Sequence, residues 1–296
     1  MTTSTHHPTT VATHPGPGRT SAARSASATA VPTGGRLSLL GAQILAELRQ
    51  NWRVPEYAIG VLAVPVILYA MFGLTNAGRL LPEGTDVGAV LIGSFAAYGV
   101  VSLAIFTFGV DVAQERGSGW LRRLRSTPMP MWAYFAAKIT MALVFSALII
   151  AGVTLLAVLA GGVPVEAARM ARVSLLLLAG TVAFSTMGFA MAFWFRPKAA
   201  SAIGNLTFLP LSFVSGFFQP LGSLPQFLQD AAPWLPTYHF GALVWSELAP
   251  ARDVAAMTGA ASGPMTGHIL WVVGTFVVFG ALAIAGYRRD AQREKA

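Results

Sequence analysis

Cysteine is absent from this sequence of 296 residues, which excludes disulfides, thiolate metal sites and cysteine nucleophiles. Charged residues are also scarce: they make up 11% of the chain, whereas a soluble domain carries about 25%. Apolar residues reach 54%. Long stretches contain no ionic side chain at all, and the charges gather between them. This pattern is typical of a membrane protein whose apolar segments cross the bilayer.

The features of an enzyme are missing as well. The apolar segments contain no histidine that could bind haem, and their serines, such as Ser146 and Ser185, have no basic partner. No glycine-rich phosphate loop of the GxxxxGK[ST] kind occurs. Asp, Glu, Arg and His are essentially absent from the apolar segments, where each would cost about 2.5–3.5 kcal/mol. We therefore predict neither catalysis nor a cofactor or metal on this chain; energy for transport would enter through another chain.

The formal net charge of +8 comes mainly from arginine, since Lys138, Lys198 and Lys295 are the only lysines. Basic residues flank membrane helices on the cytoplasmic side, so this excess does not indicate nucleic-acid binding. With Lys138 set aside, alternate connections hold fifteen basic residues against four. The asymmetry predicts cytoplasmic N and C termini. The Ala-, Gly- and Arg-rich, Lys-poor composition suggests a bacterium, so the predicted location is the bacterial inner membrane.

We predict an all-α integral membrane protein with a disordered tail at residues 1–35 and a transmembrane domain over 36–296. A helix needs about 20 apolar residues to cross the hydrocarbon. Lys138 is expected to snorkel to the interface at the start of the third span. The six predicted spans are Tyr57–Leu74, Val87–Val110, Met131–Ala160, Val173–Phe195, Ala199–Phe218 and Ile269–Tyr287.

Two further helices are predicted beside the spans. Between Arg36 and Arg53, apolar residues recur every three or four positions, which predicts an amphipathic helix on the membrane surface; the alternative is a helix packed on a soluble partner. Before the last span, prolines interrupt the apolar stretch that follows Gln219, and we predict a short re-entrant or interfacial helix from Leu224 to about Ala232. The stripe of the first helix is Leu37, Leu40, Ile44, Leu48 and Trp52, and the face of the second is Leu224, Phe227, Leu228 and Ala231.

The connection between the second and third spans, Glu115–Pro128, is called the basic loop below. Its glycines permit a tight reversal, and Trp120, Leu121 and Leu124 then form an apolar edge surrounded by arginines. Thr127 and Pro128 end this short helix. A loop that merely follows the positive-inside rule would explain the charge but not the apolar edge. The pattern favours a short basic helix that docks into the groove of a soluble partner.

The basic loop resembles the first cytoplasmic loop of type-2 ABC transporter permeases, which read Glu-Arg, Gly, a small residue, Leu-x-x-Leu and Thr-Pro. The segment from Ser215 to Pro225, followed by Pro236-Thr-Tyr-His239, is similar to the outer loop of the same family. The resemblance extends from about Arg36 to the end of the chain. It departs at Ser118-Gly119-Trp120, where many members carry Gly-Thr-Leu, so the start of the loop helix is not fixed by it.

The resemblance implies a permease that works as a homodimer or heterodimer, each half binding a separate cytoplasmic ABC ATPase that carries ATP and Mg²⁺. The basic loop would be the coupling helix. Leu121 and Leu124 would fill the groove of the ATPase, Arg122, Arg123 and Arg125 would face its acidic rim, and Glu115 would orient the loop through the arginines or an ATPase residue. The implied coupling residues are Glu115, Arg116, Gly117, Leu121, Arg122, Arg123, Leu124, Arg125, Thr127 and Pro128.

The apolar spans favour export of a hydrophobic drug or natural product, as in antibiotic resistance. A lipid or polysaccharide exporter is the alternative within the same class, and a non-transporting scaffold or sensor subunit is the alternative outside it. Asn205, Thr207 and Gln219 are candidate pathway residues, beside Phe208, Phe213, Phe217 and Phe218. For any single one of these residues, ordinary helix packing or a lipid-facing aromatic ring is the simpler explanation.

Overall fold

A computed structural model describes residues 36–52, 55–127, 129–258 and 263–293, with side chains from residue 40 onward except at 50–58. These residues fall within one compact unit, Gly35–Ala296. They are almost entirely helical and contain no strand, only an isolated bridge between Leu80 and Asp86. The predicted disordered tail at 1–35 lies outside the described residues.

Eleven α-helices occur in the described part of the chain. Two of them contain π-helical turns: α2 continues through Tyr69–Gly73 to Leu74–Asn76, and α3 contains Ala104–Asp111. The helices are α1 Arg36–Trp52, α2 Pro55–Leu68, α3 Val87–Gly117, α4 Trp120–Arg125, α5 Met131–Leu159, α6 Ala167–Trp194, α7 Pro197–Val214, α8 Gln226–Ala231, α9 Pro236–Leu248, α10 Ala251–Thr258 and α11 Met265–Arg293.

Five of these helices are long and apolar enough to cross a membrane: α2 with its extension, α3, α5, α6 and α11. They correspond to the first four predicted spans and the last. The structure lengthens the spans: α6 begins at Ala167 instead of Val173, and α11 extends to Arg293 instead of Tyr287. The predicted fifth span coincides with α7, which has 18 residues and is less apolar because it contains Lys198 and Asn205. A count of six spans stays a prediction.

Helix α3 lies at the centre of the bundle. Its most apolar stretch is 83% buried, against 11% for the corresponding stretch of α11 at the periphery. Apolar residues occur all around α3, which is typical of a helix enclosed by others. Phe95, Val100 and Phe108 on α3 are fully buried, and the helix packs against α2, α5, α6 and α9.

Helices α3 and α6 approach each other closely at Gly188. A Cβ atom added there would lie 2.0 Å from the Ala104 carbonyl oxygen and 2.5 Å from Phe108 Cβ. The first of these atoms belongs to the backbone of the π-helical segment and cannot rotate away. Glycine therefore sets the distance between the two helices at this point.

Replacing Gly188 by alanine is expected to destabilise the protein by about 1–3 kcal/mol, the usual cost of overpacking a filled core. Gly274 on α11 is the matched control, because an added Cβ there meets no atom within 4 Å. Thermal unfolding midpoints in detergent should fall for Gly188→Ala and stay constant or rise for Gly274→Ala. Equal midpoints would contradict the close helix contact.

The end of the bundle that carries α4 is called the basic end. At the opposite end, Asp253 on α10 is fully buried and accepts hydrogen bonds from the Glu83 and Thr85 amides at 2.8 and 3.1 Å. Burial alone would raise the pKa of Asp253, but hydrogen bonds from the Thr85 hydroxyl and these two amides hold it below its ordinary value. Asp253 thereby fixes the connection between α2 and α3 to the connection before α11.

The stretch between α7 and α11 differs from the prediction in two respects. The short helix is present as α8 and continues as a 3₁₀ turn at Ala232–Trp234, but Phe227 is 69% exposed and does not join Leu224 and Leu228 in packing. Helix α9 was not predicted at all, and its Phe240 and Trp245 are buried between α3, α6 and α11. Re-entry of this stretch into the membrane stays a prediction.

Candidate functional site

The basic loop begins where α3 ends. Gly119 has a φ of +76°, a left-handed conformation that favours glycine, and the chain reverses there into α4. Gly117 has a different role from the predicted reversal: a Cβ atom at this position would lie 2.3 Å from Cγ of Pro197, the first residue of α7. The loop therefore contacts the start of α7 directly. At its other end the Thr127 hydroxyl donates to the Leu124 carbonyl at 2.7 Å, while Pro128 lies outside the described residues.

The orientation of α4 corrects the predicted docking edge. Leu121 and Leu124 are 1% and 8% exposed, and they pack with Phe108, Tyr134 and Phe193 in the core of the basic end. The prediction that these leucines fill a groove on a partner is therefore wrong. Helical spacing shows which residues share a face but not which side meets the rest of the chain.

The exposed face of α4 consists of one large aromatic residue and two arginines. Trp120 is 43% exposed, and Arg122 and Arg123 are exposed as well. No acidic side chain forms an ion pair with Arg122 or Arg123 among the described residues. This face of α4 is therefore both apolar and positively charged towards solvent.

Glu115 is held from the transmembrane side and not by the loop arginines. The Tyr134 hydroxyl donates to one of its oxygens, and Lys138 Nζ donates to the other at 2.6 Å. Lys138 also forms an ion pair with Glu47 of α1 at 3.1 Å. Its side chain is only 3% exposed, so the prediction that Lys138 snorkels to the interface is wrong. The lysine instead joins α1, α3 and α5.

Glu47 is the member of this cluster that the sequence analysis missed. It lies on the first helix among positions expected to be polar and exposed, yet it is only 4% exposed. Burial raises the pKa of Glu47, Glu115 raises it further, and the ammonium of Lys138 lowers it. Lys138 thus forms ion pairs with two carboxyl groups. The pair with Glu47, at 3.1 Å, is the weaker of the two, since the distance to Glu115 is 2.6 Å.

A second ionic contact fixes the C-terminal part of α11 to the basic loop. Arg116 and Arg125 approach the two carboxylate oxygens of Asp290 at 3.3 and 3.6 Å. Arg116 also donates to the carbonyls of Phe193 and Phe195 at the end of α6, and Arg125 lies over the Tyr287 ring. Arg125 therefore faces its own chain and not a partner. No sequence signal connects Asp290 with a loop 174 positions away.

The predicted surface helix is α1, but its stripe is only partly described. Leu40, Ile44 and Leu48 are half-buried, and Leu48 packs with the core formed by α2, α3 and α5. The side chains of Leu37 and Trp52 lie outside the described residues. Contact of this helix with the membrane surface stays a prediction.

The structure does not bring the candidate pathway residues together into a cluster. Asn205 and Thr207 are exposed on α7, and their side chains donate to the carbonyls of Ser201 and Ile203, one turn earlier. Gln219 is half-buried in the connection after α7. Of the neighbouring aromatic residues, Phe208 and Phe217 are 7% and 1% exposed and belong to the core. Helix packing accounts for those two rings.

Within the described segments, no three His, Asp or Glu residues are grouped to hold a metal.

Comparison with known proteins gives one family and one relative. Residues 39–247 match the ABC-2 type transporter family. The putative transport permease YvfS of Bacillus subtilis (strain 168) is 26% identical over 210 residues, covering 71% of this chain and 85% of that protein. The chain therefore belongs to the ABC-2 type transporter family and is a multi-pass membrane subunit of a transporter.

Proposed function

We propose that this chain is the permease subunit of an ABC exporter and that the exposed face of α4 is the surface on which a separate ATPase docks. The observation that carries this proposal is the combination of Trp120, Arg122 and Arg123 on one exposed face with buried leucines on the other. Tryptophan and arginine are the side chains that contribute most often to binding at protein interfaces. The complementary partner is an acidic groove on a soluble protein.

The anchoring of α4 supports a coupling role over a passive contact. Beneath the helix, the leucines pack on α3, α5 and α6, Asp290 ties the loop to α11, and Lys138 ties Glu115 to α1. A displacement of α4 would therefore reach five helices at once. ATP and Mg²⁺ would be bound by the ATPase, and closure of the ATPase subunits would supply the displacement.

The orientation of the helices across the membrane is inferred from the arginines and lysines at the basic end. Cytoplasmic loops are enriched in Arg and Lys, so we assign α4 and both chain termini to the cytoplasmic side of a bacterial inner membrane. In this arrangement α7 is the fifth of six spans, and the permease functions as a homodimer or heterodimer.

The substrate we propose is a hydrophobic drug or natural product. The ionic groups of the described spans lie near the span ends, in the Glu115–Lys138 cluster at the basic end and at Arg169 and Arg172 at the opposite end of α6. The exposed surfaces of α2 and of α11 up to Tyr287 are largely apolar. Such surfaces suit a substrate that partitions into lipid. Export of a lipid or polysaccharide is the second candidate, and Asn205 and Thr207, exposed on α7, are the polar groups that would favour it.

Co-purification with the ABC ATPase encoded beside this protein tests the docking surface. We expect the wild-type chain to retain the ATPase in mild detergent. The triple variant Trp120→Ala/Arg122→Ala/Arg123→Ala should co-purify with at least tenfold less ATPase. The matched control replaces exposed residues of the same types at the opposite end, Trp234, Arg79 and Arg252, and should bind normally. If the wild-type chain binds no ATPase, a scaffold or sensor role replaces the exporter.

A further inference from the structure

Two histidines face each other at the end of the bundle opposite the basic loop. His239 on α9 and His268 on α11 are 7% and 8% exposed, and their Nδ1 atoms are 2.7 Å apart. The His239 ring stacks on Trp271 with centroids 4.8 Å apart and planes 12° apart. Of the five histidines in the chain, these are the two within the described helices. The pair joins α9 to the last span.

The hydrogen bonds fix the tautomer of each ring. His239 Nε2 lies 2.9 Å from the Pro233 carbonyl oxygen, which can only accept, so Nε2 carries the proton. A neutral His239 then has an unprotonated Nδ1, and His268 Nδ1 must be the donor between the rings. His268 Nε2 is consequently the only ring nitrogen with a free lone pair.

That lone pair has no hydrogen-bond partner among the described residues. His268 lines a partly open cavity of about 40 Å³ together with Tyr238, Ser246 and Thr258, which is large enough for a water molecule. The titratable neighbour is Tyr238, whose ring centroid lies 6.2 Å from that of His268.

Charged groups on the packed elements point elsewhere. Glu247 on α9 pairs with Arg172 of α6, and Arg169 of α6 donates to the Leu248 carbonyl. Asp253 on α10 is bound by the amides of the α2–α3 connection, and Arg252 beside it is exposed. Helix α3 carries no charge before Asp111, the 3₁₀ turn Ala232–Trp234 has none, and the charges of α11 lie beyond Tyr287. No described carboxylate therefore compensates a proton on the pair.

We propose that His239 and His268 form a proton-binding site that holds α9 against α11 when neutral and releases it when one ring takes up a proton. The incoming proton must go to His268 Nε2, where it creates a buried cation whose N–H has no described acceptor. A buried unpaired charge is costly, and exposure of the ring to water removes the cost. Protonation thus favours a state in which the two helices separate at this end.

The direction of the pH dependence follows from burial. Both rings are buried in the closed state, and burial disfavours the charged form of an imidazole. The closed state therefore binds fewer protons than a hydrated open state, in which imidazole titrates near about 6.5. The contact is fully stabilising above this value and weakens as the pH falls below it.

Nuclear magnetic resonance of ¹⁵N-histidine-labelled protein in lipid nanodiscs tests the assignment. Substitution of His6, His7 and His14 by alanine leaves the pair as the only signals. At pH 8 we expect one ring protonated at Nε2 and the other at Nδ1, and a single imidazolium that appears only below about pH 6.5. Two rings of the same tautomer, or independent titration of both at the ordinary value, would overturn the proposal.

Distances between spin labels test the release. The chain has no native cysteine, so Gln226→Cys on α8, which leads into α9, and Thr266→Cys on α11, both at exposed positions, give a unique pair that reports the distance between these two parts of the chain. The distance should be narrow at pH 8 and should lengthen or broaden at pH 5. A pair at the basic end, Ser126→Cys with Arg288→Cys, should not change.

The variant His268→Gln keeps an N–H donor but cannot titrate, and it should abolish the pH response. If the wild-type distance is the same at both pH values, or if the variant responds equally, the histidine pair is not a proton-dependent contact. Binding of the ATPase at α4 does not enter either measurement.

Discussion

Replacing Lys138 by methionine is expected to lower the free energy of unfolding by about 3–5 kcal/mol, the cost of removing one partner from a buried ion pair. The side chain of Lys138 is 3% exposed and contacts two carboxyl groups, Glu47 at 3.1 Å and Glu115 at 2.6 Å. Methionine fills a similar volume, so the effect measures charge and not a cavity. Without the ammonium group, the two acids would face each other at the junction of α1, α3 and α5.

The pH dependence of this variant should identify the cause. Burial already raises the pKa of Glu47 in the native protein, and loss of the neighbouring cation raises it further. Protonation of the carboxyls at lower pH removes the unpaired charge. The difference in stability between wild type and Lys138→Met should therefore shrink as the pH falls from 8 to 5, when measured by denaturant unfolding in detergent.

Lys198 supplies the matched control, since it is exposed at the start of α7. Lys198→Met should change stability by no more than about 0.5 kcal/mol, as usual for a surface substitution. Adding Glu47→Gln and Glu115→Gln to Lys138→Met should restore most of the loss. If the two lysine variants unfold alike, the buried cluster contributes nothing to the fold.

The membrane helices could be predicted from the sequence because apolar length alone defines them. Four of the predicted boundaries differ by no more than a residue from the helices, as at Val87 and Met131. Helix α9 was not predicted because this length criterion does not detect it. Its 13 residues are too short for a span, prolines precede it, and a short apolar run has no periodicity that distinguishes helix from loop.

The candidate site was predicted in position but not in orientation. Gly119, the arginines and the threonine correctly marked a short helix at Trp120–Arg125, whereas Gly117 packs on Pro197. Which side of that helix faces the protein depends on Phe108, Tyr134 and Phe193, which come from three other helices. The partners of Lys138 and Asp290 likewise come from distant parts of the chain. Such contacts leave no local pattern, and a lysine near a span end looks the same whether it reaches water or a buried carboxylate.

Replacing Leu121 by aspartate is expected to prevent accumulation of folded protein even when no ATPase is present. Leu121 is 1% exposed in the core of the basic end. Truncating such a leucine to alanine costs about 2–5 kcal/mol, and a buried carboxylate without a partner adds to that cost. Expression should fall, and the remaining protein should elute as aggregate on size-exclusion chromatography.

Leu80→Asp is the control, because Leu80 lies in the connection between α2 and α3 and is 70% exposed. It should express and elute as the wild type. The comparison with Trp120→Ala/Arg122→Ala/Arg123→Ala then separates two roles within one short helix. The leucine variant should lose the fold before any partner is added, whereas the triple variant should keep the fold and lose only the ATPase. A folded Leu121→Asp protein that merely fails to bind the ATPase would instead mean that α4 turns its leucines outward to meet its partner, as the resemblance to ABC permeases implies.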